Sequence, residues 1–86
     1  MYYVYVLFEK TNQAETSVGY TSNLEERFRT HSAGGNVSTR GREWELVYYE
    51  AYISEHAAHE RERMLKHNGR VKRFLMERVR KQFKAI

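Results

Sequence analysis

From Tyr2 to Phe8 the chain reads YYVYVLF, apolar or aromatic at both positions of the strand alternation. That is the pattern of a strand covered on both faces, and it predicts a central strand. Polar residues from Lys10 to Ala14 interrupt the run, and Glu15 to Tyr20 resumes as a shorter strand. The pair predicts a hairpin with a loop of about five residues. Ser22-Asn-Leu-Glu25 has the spacing of a capping box, in which the serine hydroxyl takes an orphan backbone N–H and the glutamate reaches back. A helix is expected to begin there and run to about Ser32. Residues 32–43, SAGGNVSTRGRE, hold three of the five glycines among small polar residues, which predicts a surface loop of a length that is often functional. Trp44 to Ile53 predicts a third strand, and Ser54 can cap a helix through about His67. Gly69 breaks that helix before a last one from about Arg70 to Lys84. The order is β-β-α-β-α-α, an α+β fold with a three-stranded antiparallel sheet flanked by three helices. No repeat, linker or second domain is visible in residues 1–86.

Composition narrows the classes. Eighty-six residues fit one domain, and a chain this short hides only about 60% of its unfolded surface, so packing alone must hold it. There is no cysteine, which excludes disulfides, thiolate metal sites and cysteine nucleophiles. The longest apolar run falls far below the roughly 20 residues of a membrane span, and no basic segment precedes it. A soluble, cytoplasmic protein is expected, with no membrane association.

The net charge of +4 conceals an asymmetry: residues 1–60 hold five Lys/Arg against nine Asp/Glu, residues 61–86 ten against two. A basic block of this kind attracts phosphate backbones, although a solvated helix face is a common alternative. On the last helix Val71, Phe74, Leu75 and Val79 read as the docking side, while Arg70, Arg73, Arg80, Lys81 and Lys84 cluster on another. Arg40 and Arg42, on the glycine-rich loop, are placed to touch a nucleic-acid backbone.

Two helices carry polar groups on inward-leaning faces. On the first, Leu24, Phe28 and His31 recur at i, i+4 and i+7 with Arg27 between them, so a guanidinium and an imidazole lean toward the protein body. On the second, Glu62 lies four residues after Ala58 and three before Leu65, beside the apolar side. Half-buried charges need partners, so these residues point either to a site or to an internal pair such as Arg27 with Glu62. His56, His59 and His67 match no standard zinc spacing and read as solvated.

Taken together, Tyr3-Val-Tyr5, Ser17-Val-Gly19, Tyr20-Thr-Ser-Asn-Leu-Glu-Glu-Arg27, His31, the stretch from Ser38 to Glu50 and Ala58-His-Glu-Arg-Glu62-Arg-Met-Leu-Lys66 resemble the GIY-YIG nuclease superfamily, in particular its small single-domain bacterial branch. That branch is related to the incision domain of bacterial nucleotide excision repair. The resemblance implies metal-dependent hydrolysis of DNA phosphodiester bonds, of low sequence specificity and structure-selective or repair-related, with one magnesium or manganese ion. By matching positions it implies that Tyr5 lies near the attacking water or the scissile phosphate. Arg27 would meet the transition-state charge with a planar cationic fork. His31 would accept a proton or orient the phenol, and Glu62 would be the metal ligand.

The second motif departs from the family's pattern, with Ser17 where that pattern has a tyrosine. A phenol titrates near 10 and an aliphatic hydroxyl far higher, so serine is no simple substitute. Tyr20 is close in sequence, but alternation turns it away from Ser17 unless the strand ends or bulges. Asn68, the only asparagine after Glu62, does not fit the family's spacing. The competing reading is a nucleic-acid-binding module that keeps the scaffold and has lost cleavage.

Overall fold

In the structure, a computed structural model describing residues 1–12, 14–29, 36–39 and 42–84, the strands β1 (Tyr2–Glu9), β2 (Thr16–Thr21), β3 (Asn36–Thr39) and β4 (Arg42–Tyr52) form one antiparallel sheet. The strand order is β2-β1-β4-β3. The helices are α1 (Leu24–Arg29), between β2 and β3, and the successive α2 (Glu55–His67) and α3 (Gly69–Lys84). The expected three-stranded antiparallel unit is β2-β1-β4, with β1 in the middle. The predicted loop over 32–43 needs correction. Its residues 36–39 add a short edge strand pairing Asn36 with Glu45 through Thr39 with Arg42, and β4 itself begins at Arg42. β-Branched Val37 and Thr39 suit an extended edge, and β4 offers them an open ladder.

The doubly apolar pattern of β1 is explained by cover on both faces. Val4, Val6 and Phe8 pack with Val18 of β2 and with Ala58, Leu65, Leu75, Met76 and Val79 of α2 and α3. Tyr5 and Leu7 face the other way, onto Phe28 and Leu24 of α1 and onto Trp44 and Leu46. Between Val6 and Leu7 the register on β4 shifts, so that Val6 opposes Tyr48 and Leu7 opposes Leu46. The bulge leaves Val47 as the extra residue, and both Val47 and Tyr48 pack against the α2/α3 side.

Three local expectations are corrected. The cap of α1 is Asn23, whose side-chain oxygen accepts from the Glu26 N–H at 3.0 Å while its amide donates to the Glu26 carboxylate at 3.2 Å. Ser22 and Glu25 sit one residue out of that frame. The break between α2 and α3 is made by Asn68 more than by Gly69: its backbone N–H closes α2 on the Met64 carbonyl, and its side chain accepts from the N–H groups of Arg70 and Val71. A methyl at Gly69 would meet nothing within 4 Å. On α3 it is Met76, not Phe74, that joins Val71, Leu75 and Val79 in docking, since 100° per residue carries Phe74 round to a 58% exposed position. The Ser54 cap is as expected, its hydroxyl accepting from the Ala57 N–H at 3.2 Å.

One carboxylate ties α2 to the sheet. Glu50 of β4 receives Nε and Nη2 of Arg61 at 2.9 and 3.0 Å and the hydroxyls of Tyr48 and Tyr52 at 2.8 and 2.5 Å. Burial alone would raise its pKa, but these donors, Arg61 foremost, outweigh it and hold the carboxyl below its ordinary value of 4.5. The same cluster raises the Arg61 guanidinium through its hydrogen bonds to Glu50. Because the folded value is depressed, this carboxylate contributes its full stability above the unfolded value and loses it as pH falls through the folded one. Replacing Glu50→Gln is expected to cost about 2 kcal/mol at neutral pH by urea unfolding. It should also flatten the acid limb of the stability curve below about pH 4.5. An unchanged acid limb would show that another carboxylate sets it.

Candidate active site

β1 and β2 bring the first group of residues together. Tyr5 is opposite Gly19, and Ser17 is opposite Leu7 on the same side of the sheet. The Tyr5 ring, 6% exposed, lies across Gly19 so closely that a methyl there would sit 2.3 Å from its hydroxyl oxygen and 2.4 Å from Cζ. Glycine is required at this position by close approach. The absent side chain lets the phenol reach toward β2, which is an edge strand. From α1, Phe28 meets the Tyr5 ring edge-on at 5.2 Å. The guanidinium of Arg27 lies 5.6 Å from the Phe28 ring centre. Arg27 is exposed, not leaning into the body, and has no ion pair among the described residues. The expected alternative of an Arg27–Glu62 pair is not what the structure contains.

Glu62 belongs to a second group, on the α2 side of the sheet. Glu55, His59, Glu62 and Lys66 recur at i, i+4, i+7 and i+11, so they share one stripe of α2, flanking the buried Ala58 and Leu65. Glu62 is about four-fifths buried and is paired with Lys66 at 3.0 Å and with His59 at 3.7 Å. The stripe meets Tyr20 of β2, whose hydroxyl donates to Glu55 at 2.8 Å and whose ring stacks on His59 at 4.0 Å between centroids. Burial, the Glu55 hydrogen bond and the charges of Glu55 and Glu62 push the Tyr20 phenol up to about 12. Tyr20 does face away from Ser17, as alternation requires, and its proton is firmly held at neutral pH. The stripe was readable from helical spacing, and Tyr20 with His59 is what a reading of separate motifs missed.

Tyr5, Ser17 and Arg27 therefore gather on one face and Glu62 on the other. Gly19 and Tyr20, neighbours on β2, join the two groups. His31 and Arg40 lie outside the described residues, as does the side chain of Lys84. Arg42 stands at the start of β4, not on a loop, and is 3.9 Å from Glu15 at the hairpin mouth. There Glu9, held below the ordinary carboxylate range foremost by the Thr11 hydroxyl, accepts turn hydrogen bonds. Arg70, Arg73, Arg80 and Lys81 lie exposed on α3. Among the described residues no three His, Cys, Asp or Glu side chains converge as a ligand set. No helix among them is long and apolar enough to cross a membrane.

The fold is an antiparallel sheet with α1 over the Tyr5 face and α2 and α3 over the other, and comparison with known families identifies it. Residues 1–74 match the GIY-YIG catalytic domain, and the chain belongs to that family. The relatives include a UPF0213 protein of Natronomonas pharaonis, 43% identical over 74 residues, covering 84% of this chain and 85% of the relative. A UPF0213 protein of Clostridium perfringens is 40% identical over 68 residues, covering 77% and 71%. One of Haloquadratum walsbyi is 37% identical over 73 residues, covering 83% and 82%. No solved structure matches the chain.

The contact at Gly19 makes a direct test. Gly19→Ala should destabilise the protein by about 1–3 kcal/mol, because the methyl must displace the Tyr5 ring or the strand. With Tyr5→Leu in the background the same substitution should cost markedly less in a double-mutant cycle read by urea unfolding. Additive costs would mean that the ring and position 19 do not compete for space.

Proposed function

We propose that the protein is an endonuclease that hydrolyses DNA phosphodiester bonds at the β2 edge, with Tyr5, Arg27, His31 and Glu62 as its working residues. Membership of the GIY-YIG family supports nuclease chemistry. The observation that carries the siting is the Tyr5–Gly19 approach. It brings a phenol to the one short stretch of edge strand whose other side, through Tyr20, neighbours Glu62.

In this reading a backbone phosphate lies along β2. Arg27, exposed and without an acidic partner among the described residues, would meet the nonbridging oxygens, where a planar fork of donors answers charge that grows toward the transition state. Tyr5 would orient the attacking water or the phosphate through its hydroxyl. His31 would take or hold a proton. Glu62 offers one hard oxygen donor, which fits an ion such as magnesium or manganese that keeps most of its shell as water and phosphate oxygen. When bound, such an ion supplies Lewis-acid polarisation of the phosphate. Lys66 and His59 hold the carboxylate until then, and one of these pairs must open.

The second reading is a scaffold that binds nucleic acid without cutting it. It is favoured by Ser17 in place of the phenol and by a Tyr20 proton held up to about 12. Incubation with branched, nicked and linear DNA in magnesium or manganese separates the two. Cleavage should fall at least about a hundredfold in Glu62→Ala and in Arg27→Ala. Equal products from wild type and variants would assign the cleavage to a contaminant and leave the binding module. Ser17→Tyr should raise the rate if the missing phenol limits the site, and an unchanged rate would show that another group has its role.

A further inference from the structure

The exposed side of α3 holds an aromatic ring that the fold does not use. Phe74 is 58% exposed. Arg70 and Arg78 stand one turn to either side of it, Lys81 two turns on, and the Arg73 guanidinium lies 5.6 Å from its ring centre. Against it opens a hollow of about 280 Å³, lined by Tyr48, Arg61, Val71, Phe74, Leu75 and Arg78. Two aromatic rings and an apolar floor thus stand among cations. Of the two guanidiniums, Arg61 is committed to Glu50, while Arg78 is exposed.

We propose that this hollow is a binding site for an unpaired nucleobase of single-stranded DNA, with Phe74 as the stacking platform and Arg78 and Lys81 on the flanking phosphates. Apolar rings alone would fit many ligands. The basic surround narrows the occupant to a flat group carried on a polyanion, and stacking on an aromatic side chain among cations is how single strands are held without sequence preference. The hollow lies on the β4 side of α2, whereas the Glu62 stripe lies on the β2 side, since Arg61 and Glu62 flank the buried line of Ala58 and Leu65 on opposite sides. The site would therefore hold an unpaired segment apart from the point of cutting and select DNA that has single-stranded character. The choice of DNA as the occupant rests on the nuclease reading; the geometry of the hollow does not.

The test is fluorescence anisotropy without divalent metal, using a labelled single strand of mixed sequence and the same sequence as a blunt duplex. Phe74→Ala should weaken single-strand binding roughly tenfold and duplex binding hardly at all, while Phe74→Trp should restore it. Because Phe74 is largely outside the core, an unchanged thermal midpoint in both variants should show that folding is intact. Arg78→Ala should lower the affinity for the single strand and reduce its salt dependence. Equal loss on both DNAs, or no loss on either, overturns the stacking site. If that occurs while wild type still cuts, only this inference falls. If Phe74-dependent binding persists in a protein that never cuts, the nuclease reading falls and the site stands.

Discussion

A helix docked on a sheet by apolar contacts alone can rotate about its axis, and in this protein the Glu50–Arg61 pair on one flank of α2, with Tyr20 against Glu55 and His59 on the other, opposes that freedom. Two parallel N–H bonds fix the guanidinium against one carboxylate, and the hydroxyls of Tyr48 and Tyr52 occupy what remains of its accepting capacity. Arg61 is thereby committed to the β4 side. Glu62, 100° further round the helix, is carried past the buried Ala58 and Leu65 to the β2 side. The orientation of Glu62 thus follows from contacts on both flanks of α2. A half-buried ion pair is weak evidence for stability, yet a bidentate one is strong in geometry, and orientation is what this fold asks of it.

The second constraint works on the other face. β1 is covered on both sides, so its tyrosines cannot all be exposed, and Tyr5 is buried wherever its ring can find room. Gly19 provides that room on a strand that, among the described residues, has no strand beyond it. At this edge the consecutive residues Gly19 and Tyr20 serve opposite faces, the first under the Tyr5 ring and the second against Glu55 and His59. Ser17, two positions back and on the Tyr5 side, brings no phenol from β2, so the other phenols of this face are Tyr3 and Tyr49, the latter opposite Tyr5 on β4. The phenol that is close in sequence, Tyr20, is held on the opposite face by Glu55 and His59.

Much of this was legible in the chain because its strongest signals are local. Aromatic and β-branched density from Tyr2 to Phe8 means a doubly covered strand in any context, and Ser54 caps a helix by its own hydroxyl. The failures share a cause, which is competition between near-equal local choices that only tertiary contacts decide. Ser22 and Asn23 are both good caps, and Asn23 wins because Thr21 accepts its N–H at 3.1 Å and Glu26 is in reach. Phe74 and Met76 are both apolar, and the rotation of α3 that buries Leu75 and Val79 leaves only Met76 inside. The edge strand over 36–39 is hidden among glycines because its stability comes from β4 and not from itself.

The charge asymmetry along the chain becomes a spatial one once the partners are known. Several of the nine glutamates in residues 1–60 have close partners in the fold: Glu50 with Arg61, Glu55 with Tyr20, Glu9 in its own turn, and Glu15 and Glu43 with Arg42 and Lys10. On α3 only Glu77 offsets a row of arginines and lysines. Among the described residues the basic side chains are therefore concentrated on α3, the surface that would attract a polyanion by long-range forces. On the proposed function, binding and cutting would make opposite demands on the surface. A phosphate is attracted most strongly where the carboxylates are absent, whereas a carboxylate such as Glu62 repels it unless a cation stands between them. On that reading α2 would stand between the two, because Arg61 is turned to the β4 side and Glu62 to the β2 side of the buried Ala58 and Leu65.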